Sequence, residues 1–425
     1  MKVLLLAAGR SKRAKPIEDK NFLRFCGKYL IKHQLEALKA AGFNDILIAG
    51  GAHNMEKLSK VAEPYGAKVI EQKNLEEGMA GAVLAAENEM DDDDLFIVSG
   101  NDVVDGEAYK LMMQASKSKA DSYLLSYEVK EYFPGGYIKL DGEKIVGIIE
   151  KPGEGNEPSN LVNLVLHIHK KPKSLLKALK EVSGEKDDRY EQALDNLMKE
   201  RNFEAVPYKG FWQPLKFPHH VLILNKHFLS KIKRKIDPSA KIAASAVING
   251  EVVIDIGAVV FENAVIQGPA YIGMDSVVGN NALVRDSSIG KRSVVGYNTE
   301  VARSYVGDDI WFHSNYVGDS VIGNNCGFGA GAICANLRLD EKEIGDSKRN
   351  KLGAILGENI RVGVNTSIMP GVKIGSNTMI ASGLVIPHDI DAGKFVSGAK
   401  IELKIEENRA AIDPNARKVM MRSLK

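Results

Sequence analysis

The sequence predicts an α/β domain followed by a parallel β-helix, and two patterns support this fold class. From residue 1 to about residue 228, apolar strand-like runs alternate with helical stretches, which is typical of an α/β domain with a mostly parallel sheet. From Ile236 onward, an aliphatic residue recurs at every sixth position. This period fits neither an α-helix nor the alternation of a strand, whereas short strands that meet at corners do fit it.

The first half of the chain contains strand patterns and helical patterns in alternation. The strand patterns fall at 3–8, 45–50, 68–71, 95–99 and 122–129, and the helical patterns at 31–41, 54–65, 79–90 and 107–118. In open sheets of this type, ligands bind beyond the carboxyl ends of the strands. A site is therefore expected after Ala8 and after Ser99.

The six-residue period holds over two long stretches of the second half. Its members are Ile236, Ile242, Ile248, Ile254, Val260, Ile266, Ile272, Val278 and Val284, and then Leu356, Val362, Ile368, Ile374, Ile380 and Ile386. One aliphatic side chain per face would point inward, and each fully buried one contributes roughly 1.5 to 3 kcal/mol. The period slips after Val284 and again near Val306 and Val317, and such interruptions are where a solenoid hosts function.

Length and composition limit the class of protein. The 425 residues, 44% of them apolar, suffice for two or three domains with cores of their own. The net charge of +2 favours neither nucleic acid nor a membrane as a partner. Three cysteines without zinc-like spacing indicate a reducing cytoplasm, and the apolar run at 3–8 is too short for a signal peptide or a membrane span.

The predicted organisation has four parts. They are an α/β domain at 1–228, a basic linker at 229–235, the β-helix at 236–398 and a charged tail at 399–425.

The loop after the first strand carries residues suited to a phosphate ligand. Its small-residue turn, GRSKR at 9–13, lets backbone amides approach a triphosphate. Arg13 and Lys20 add the positive charge that the transition state of phosphoryl transfer needs.

Segments in consistent order resemble the nucleotidyltransferase superfamily that makes sugar nucleotides. LAAGRSKR, followed by Lys20, corresponds to the family pattern G-x-S-x-R-M with a lysine beyond it, and EEGMA at 76–80 corresponds to Q-x-G-T-A. SGND, which ends at Asp102, corresponds to the G-D motif. GYI at 136–138, IEKP at 149–152 and Asn163 correspond to G-x-I, V-E-K-P and N. The resemblance implies roles for these positions: Gly9, Glu76 and Gly78 at the nucleotide, Asp102 on Mg²⁺, and Gly136, Glu150, Lys151 and Asn163 at the sugar phosphate. Asp102 suits Mg²⁺, which takes one or two carboxylates together with phosphates and water.

One position departs from the superfamily pattern W-x-D-I/V-G-x-P-W-D. Aligning Trp212 and Pro218 puts Pro214 where the family has an aspartate that is a second metal ligand. Mg²⁺ would then rest on Asp102 and the nucleotide phosphates. Neutral residues nearby are substitutes that offset less phosphate charge, namely Gln213, His219 and His220.

The second half resembles the left-handed β-helix of hexapeptide-repeat acyltransferases. The string HSNYVGD from His313, with GAGAICAN ending at Asn336, is similar to the H-x-x-Y-L-G-D…G-A-G-T-I-x-x-N block of bifunctional N-acetylglucosamine-1-phosphate uridyltransferases and their archaeal relatives. The resemblance implies that His313 is the general base for a sugar amine, since a histidine ordinarily titrates near neutral pH. It implies further contacts to the amino-sugar phosphate from Tyr316, Asn336, Arg285, Arg303 and Lys342, and puts Gly327 in place of a family asparagine.

The family also implies acetyl-CoA as co-substrate and a homotrimer. In such trimers a loop reaches the adjacent subunit, and the polar excursion at 337–353 corresponds to it.

The function expected from both resemblances is sugar-nucleotide synthesis. The first domain would transfer a nucleotidyl group from UTP or dTTP to a sugar 1-phosphate, and the second would acetylate an amino-sugar 1-phosphate with acetyl-CoA. N-acetylglucosamine 1-phosphate and its UDP derivative are the expected intermediate and product. Two alternatives stay open: an acetyltransferase whose first domain only binds ligands, and a non-catalytic scaffold or regulatory subunit.

Overall fold

The computed structural model describes residues 1–90, 93–182 and 188–398, so the predicted tail at 399–425 lies outside the described residues. The chain divides into two compact units. The first comprises Met1–Ser11, Asp19–Phe22 and Tyr29–Leu215, and the second comprises Lys12–Glu18, Leu23–Lys28 and the chain from Lys216 onward.

The first unit is built on a large sheet with helices on both faces. The strands before residue 216 are, in chain order, β1 Lys2–Leu6, β2 Arg24–Phe25, β3 Lys28–Tyr29, β4 Asp45–Gly50, β5 Lys68–Glu71, β6 Leu95–Ser99, β7 Asp102–Val104, β8 Ser122–Glu128, β9 Gly136–Asp141, β10 Lys144–Glu150, β11 Leu161–His169, β12 Phe203–Tyr208 and β13 Trp212–Pro214. The helices of this unit are α1 Leu30–Ala40, α2 Met55–Ala62, α3 Gly78–Ala85, α4 Gly106–Ala115, α5 Lys173–Glu181 and α6 Arg189–Met198. The predicted strands at 45–50, 68–71 and 95–99 are confirmed with the same bounds.

The large sheet is mixed, not mostly parallel as predicted. Its strand order is β5-β4-β1-β6-β11-β8-β12-β10-β9. The strands from β5 to β6 are parallel to one another, whereas β11 runs antiparallel to both of its neighbours. The reason is that β8 to β11 follow one another without an intervening helix, and a parallel pair needs a crossover connection.

Two apolar layers cover the faces of this sheet. Helices α1, α2 and α4 bury Leu35, Leu58 and Tyr109 in one layer, and α3, α5 and α6 bury Val83, Leu179 and other side chains in the opposite layer. This layering leaves the carboxyl ends of β1 and β6 free for a site, as expected for a doubly wound α/β domain.

The second unit is a stack of short parallel strands on three faces, consistent with a left-handed β-helix. The first face consists of Lys235–Ile236, Val252–Ile254, Ala270–Ile272, Ser288–Ile289, Tyr305–Val306, Val321–Ile322, Ile355–Leu356 and Lys373–Ile374. The second face consists of Lys241–Ile242, Val259–Val260, Val277–Val278 and Val294–Val295, then Gly327–Phe328, Arg361–Val362, Met379–Ile380 and Phe395–Val396. The third face consists of Val247–Asn249, Val265–Gln267, Leu283–Arg285, Glu300–Ala302, Tyr316–Gly318, Ile333–Cys334, Ser367–Ile368 and Val385–Ile386.

The predicted aliphatic ladder forms the core of this β-helix. Its members from Ile254 to Ile386 are buried in one continuous cluster. The three members of the first coil are less buried because no earlier coil covers them: Ile242 and Ile248 are half-buried, and Ile236 is 37% exposed.

The slips between the third and first faces are short corners, and one further slip, from Phe312 to Val317, lies between the second and third faces. At three successive coils the corner from the third face to the first spans five residues instead of six, from Val284 to Ile289, from Val301 to Val306 and from Val317 to Ile322. Each short corner has one residue in the left-handed region, which closes the turn, and these residues are Asp286, Arg303 and Asp319.

A ladder of buried serines joins the short corners. The Ser287 hydroxyl accepts a hydrogen bond from the backbone N–H of Ser304 at 3.0 Å, and the Ser304 hydroxyl accepts one from the backbone N–H of Ser320 at 3.0 Å. Ser320 continues the ladder to the N–H of Ala354 at 3.1 Å. Each hydroxyl also donates to a backbone carbonyl of its own corner. The serines therefore provide hydrogen-bond partners for buried N–H and carbonyl groups of the shortened turns.

Replacing Ser304 by alanine is therefore expected to destabilise the β-helix by about 1–3 kcal/mol, because the buried N–H of Ser320 loses its acceptor. Urea unfolding of the two proteins measures the difference. Ser382→Ala, at an exposed serine of the same β-helix, is the matched control and should change stability by less than about 0.5 kcal/mol. Equal losses in the two variants would contradict a role for the ladder.

The second unit also contains two segments from the start of the chain and the helix α7, His220–Leu229. Arg24 lies on one of these segments, and its Nε is 3.0 Å from a carboxylate oxygen of Asp308. Phe25 stacks on Phe228 of α7 with ring centroids 4.9 Å apart. No helix within the described ranges is long and apolar enough to cross a membrane.

Candidate functional sites

The loop after β1 begins at the point predicted for a ligand. The backbone N–H of Gly100 donates to the carbonyl of Leu6 at 3.0 Å, and a Cβ at Gly100 would lie 2.5 Å from that oxygen. Glycine is therefore required where the ends of β1 and β6 meet. Farther along, Ser11 adopts φ 53° and its hydroxyl accepts from the backbone N–H of Lys20 at 3.3 Å.

Two buried asparagines hold this loop, and the sequence analysis did not identify them. Asn54 donates to the carbonyl of Ala7 at 3.0 Å and to a carboxylate oxygen of Asp19 at 2.8 Å. Asn21 donates to the same carbonyl at 3.0 Å and to the other oxygen of Asp19 at 2.9 Å. The network orients the residue immediately before Lys20. No local spacing reveals it, because Asn54 comes from the start of α2.

Lys20 is half-buried, and its Nζ donates to the backbone carbonyl of Leu215 at 2.9 Å. Arg13 and Gly9 are exposed. The Arg10 side chain contacts Glu76 at 2.8 Å, so the structure brings the loop after β1 to the segment that begins with Glu76 and Gly78.

Asp102 begins β7, directly after the turn that follows β6. One of its carboxylate oxygens accepts a hydrogen bond from Nε1 of Trp212 at 3.0 Å. In the antiparallel pair of β7 and β13, Pro214 is the direct partner of Asp102. Asp105 caps α4 by accepting from the backbone N–H of Glu107 at 3.2 Å.

This arrangement offers Mg²⁺ a single carboxylate at Asp102. Among the described residues, no group of three His, Cys, Asp or Glu side chains is placed to hold a metal ion. One carboxylate fits an Mg²⁺ ion that arrives on nucleotide phosphates, because those phosphates and water complete its shell. The donor set does not fit an all-protein metal cage.

The three substitutes considered for the missing ligand have other contacts. Gln213 pairs with Val103, one position out of phase with Asp102, and its amide donates to the carbonyl of Pro214 at 3.0 Å. His220 Nδ1 accepts from the N–H of Lys216 at 3.4 Å. Burial lowers the pKa of His219 to about 4, with further lowering by His220 and by two cations, so this ring stays neutral.

The residues expected at the sugar phosphate form a niche, which we call the sugar niche: Gly136, Glu150, Lys151 and Asn163. A Cβ built at Gly136 would lie 3.1 Å from a carboxylate oxygen of Glu150 and 3.9 Å from Cβ of Asn163. Lys151 adopts φ 48°, and its Nζ is 3.1 Å from the Glu150 carboxylate. Glycine at 136 keeps the niche open.

On the β-helix, the short corners carry a polar cluster. Arg303 donates through Nε and one terminal nitrogen to both oxygens of Asp319 at 2.8 and 2.7 Å, and Asn336 donates to the same carboxylate at 2.5 Å. Asp319 is only 2% exposed and raises the pKa of the Arg303 guanidinium further. The Tyr316 hydroxyl lies at Gly318, where a Cβ would be 2.6 Å from it and 2.7 Å from the amide nitrogen of Asn336.

Both arginines expected to bind phosphate are paired with carboxylates. Arg285 donates to one oxygen of Glu300 at 3.0 and 2.6 Å, much as Arg303 does to Asp319. Neither Glu300 nor Asp319 was given a role from the sequence, although Asp319 ends the motif that contains His313. These carboxylates orient the arginines and offset part of their charge.

His313 is exposed on the turn before Tyr316, and its ring centroid is 6.3 Å from that of Trp311, which is 56% exposed. Lys342 is exposed on the excursion at 337–353. At Gly327, the position of the family asparagine, the Arg361 side chain approaches to 3.3 Å from where a Cβ would be.

Comparisons with known proteins cover both units. The MobA-like NTP transferase domain family matches residues 3–234. The chain is 34% identical over 411 residues to the bifunctional protein GlmU of Methanocaldococcus jannaschii, covering 93% of this chain and 97% of that protein. It is 32% identical over 411 residues to a bifunctional sugar-1-phosphate nucleotidylyltransferase/acetyltransferase of Sulfurisphaera tokodaii, covering 93% and 99%. A solved UDP-glucose pyrophosphorylase in complex with UDP-glucose is similar at a TM-score of 0.48 and 20% identity, covering 54% of this chain and 98% of that one.

Proposed function

Because this chain belongs to the family of bifunctional sugar-1-phosphate nucleotidylyltransferases and acetyltransferases, we propose that its first unit joins a nucleotide to a sugar 1-phosphate and that its second unit acetylates an amino-sugar 1-phosphate. The observation that carries this proposal is that the likeness to these bifunctional relatives runs through both units. We assign UTP or dTTP as the nucleotide donor and N-acetylglucosamine 1-phosphate as the acceptor.

In nucleotidyl transfer, an oxygen of the sugar phosphate attacks the α-phosphorus and the bond to pyrophosphate breaks. Arg13 and Lys20 stabilise the negative charge that develops on the phosphates. This role of Lys20 is supported by the carbonyl of Leu215, to which its Nζ donates, and by the network around Asp19 that holds its segment. Mg²⁺ bound at Asp102 would supply charge neutralisation for the triphosphate.

The sugar niche binds the acceptor. Lys151 offers positive charge to its phosphate, and Glu150 and Asn163 offer an acceptor and an amide to its hydroxyl groups. Gly9, Glu76 and Gly78 line the nucleotide side, where the ion pair between Arg10 and Glu76 must rearrange if Glu76 is to contact the base.

In acetyl transfer, the amine nitrogen attacks the thioester carbon of acetyl-CoA, the carbon–sulfur bond breaks and the thiolate leaves. His313 accepts the amine proton, and its exposure lets it reach a ligand directly. Arg285, Arg303 and Lys342 bind the sugar phosphate, while Tyr316 and Asn336 orient the amino sugar. Asp319 holds Arg303 and Asn336 together for this purpose.

Two alternatives compete with this proposal. A first unit that binds ligands without catalysis is suggested by Pro214, which replaces the second metal ligand. A non-catalytic scaffold would not need the polar cluster of Arg303, Asp319 and Asn336. A panel of nucleoside triphosphates against sugar 1-phosphates, with pyrophosphate release as the readout, tests the nucleotidyl transfer. We expect the highest rates with UTP or dTTP and N-acetylglucosamine 1-phosphate. Absence of pyrophosphate release from every pair would contradict nucleotidyl transfer and leave the two alternatives.

We further propose a homotrimer in the cytoplasm, where nucleoside triphosphates and acetyl-CoA are available. Leu339, on the excursion at 337–353, is 91% exposed, and a neighbouring subunit would cover it. Light scattering of the purified protein measures the subunit number.

A further inference from the structure

Behind the sugar niche, the first unit contains a chain of buried polar side chains that the proposed reaction does not use. Nε2 of His167 is 2.8 Å from Oδ1 of Asn163, and Nδ1 of His167 is 2.9 Å from the Tyr190 hydroxyl. The same hydroxyl is 3.2 Å from Nε2 of His169, whose Nδ1 is 2.9 Å from the Ser122 hydroxyl. We call these four side chains, from His167 to Ser122, the histidine relay.

Every ring in the relay is neutral. Burial lowers the pKa of His167 well below its ordinary value, and the neighbouring His169 lowers it further. Burial, followed by the charge of Arg201, lowers the pKa of His169 to about 3. Burial also keeps Tyr190 protonated by raising its pKa. The relay therefore carries hydrogen bonds and no charge.

Neutral groups give the relay one direction. Because Oδ1 of Asn163 can only accept, Nε2 of His167 carries the proton, and Nδ1 must accept from the Tyr190 hydroxyl. The oxygen of Tyr190 then accepts from Nε2 of His169, and Nδ1 of His169 accepts from Ser122. In this order each of the four side-chain hydrogen bonds joins one donor to one acceptor.

The end of the relay fixes the amide of Asn163. With its oxygen bound to His167, the amide presents its N–H groups to a ligand, and Asn163 lies beside Gly136 and Glu150 in the sugar niche. A free asparagine amide could rotate and present either its oxygen or its nitrogen. His167 removes that choice before the ligand arrives, which lowers the ordering cost of binding.

We propose that His167 is a positioning residue for the sugar phosphate, acting through Asn163 and held in its tautomer by Tyr190, His169 and Ser122. This inference rests on the proposed sugar niche of the nucleotidyltransferase unit. It deepens that function, because it says that residues which do not touch the sugar determine whether Asn163 presents a hydrogen-bond donor or an acceptor to it.

The test compares His167→Leu with His167→Gln, whose side-chain N–H can replace Nε2 of the histidine. We expect His167→Leu to raise KM for the sugar 1-phosphate by about tenfold, with kcat and the KM for the nucleoside triphosphate within about twofold of the unchanged protein. His167→Gln should recover most of the loss. Acetyl transfer by the second unit should be unchanged in both variants, and an unchanged KM for the nucleoside triphosphate reports that the first unit is folded in each.

A double-mutant cycle with Asn163→Ala decides whether His167 acts through Asn163. We expect the double variant His167→Leu with Asn163→Ala to be no weaker than Asn163→Ala alone. Additive losses, equal KM values for His167→Leu and the unchanged protein, or a loss shared equally by the nucleotide KM would each overturn the proposal.

Calorimetric titration with N-acetylglucosamine 1-phosphate separates this inference from the proposed function. If the unchanged protein releases no pyrophosphate but binds the sugar phosphate, nucleotidyl transfer fails, and a weaker Kd for His167→Leu still supports positioning. A Kd that is equal in the two proteins, or no binding to either, overturns it.

Discussion

Replacing His313 by alanine is expected to lower the rate of acetyl transfer by about 10² to 10⁴, because general-base catalysis by a positioned side chain contributes that much. The exposed ring has direct access to a ligand and lies three residues before Tyr316. The measurement is release of the free thiol from acetyl-CoA in the presence of glucosamine 1-phosphate. Nucleotidyl transfer by the same chain should be unaffected.

The matched control for this variant is His388→Ala, at a second exposed histidine of the β-helix. We expect it to acetylate at the rate of the unchanged protein. A His313→Ala variant that is equally fast would show that another group accepts the proton. Equal background rates in all three proteins, with and without the sugar, would favour the scaffold alternative.

Replacing Asp102 by alanine is expected to lower nucleotidyl transfer by about a hundredfold or more, since it removes the carboxylate to which the metal–nucleotide complex would bind. Pyrophosphate release measures the effect, and acetyl transfer should stay constant. Asp105→Asn is the matched control: it removes a nearby charge, and asparagine still caps α4. A rate for Asp102→Ala equal to that of Asp105→Asn would contradict the assignment.

Because Pro214 is the direct strand partner of Asp102, a substitution at Pro214 should strengthen Mg²⁺ binding, whereas Asp102→Ala should weaken it. Pro214→Asp would place a second carboxylate across from the first, so we expect half-maximal activity at a lower Mg²⁺ concentration. An unchanged Mg²⁺ dependence in a folded Pro214→Asp protein would show that this position does not face the metal.

The sequence predicted those parts of the fold that have a strong period. The β-helix follows from its ladder, and the strands at 45–50, 68–71 and 95–99 follow from apolar runs flanked by helices. The sequence analysis missed the antiparallel strands β9 to β11. These strands follow one another directly, so no helical pattern lies between them to mark where each strand ends. Their direction depends on how the chain returns, and no local pattern records that.

The predicted site residues are those that local motifs contain, and the residues that support them were missed. Trp212 on Asp102, Asn54 on Asp19 and His167 on Asn163 are contacts between side chains that the fold brings together. Asp319 had a readable signal. Like Arg303, it lies two residues after an inward member of the ladder, so the register alone places both at one corner.

The stacked corners also place side chains at a regular spacing along the β-helix. Arg303, Asp319 and Asn336 lie at the same corner position of successive coils, and neighbouring parallel strands are separated by about 4.8 Å. Contacts from this corner to a ligand that spans it would therefore be spaced one coil apart. Moving a side chain to the equivalent position of the next coil would shift it along the β-helix by one such step, about 4.8 Å.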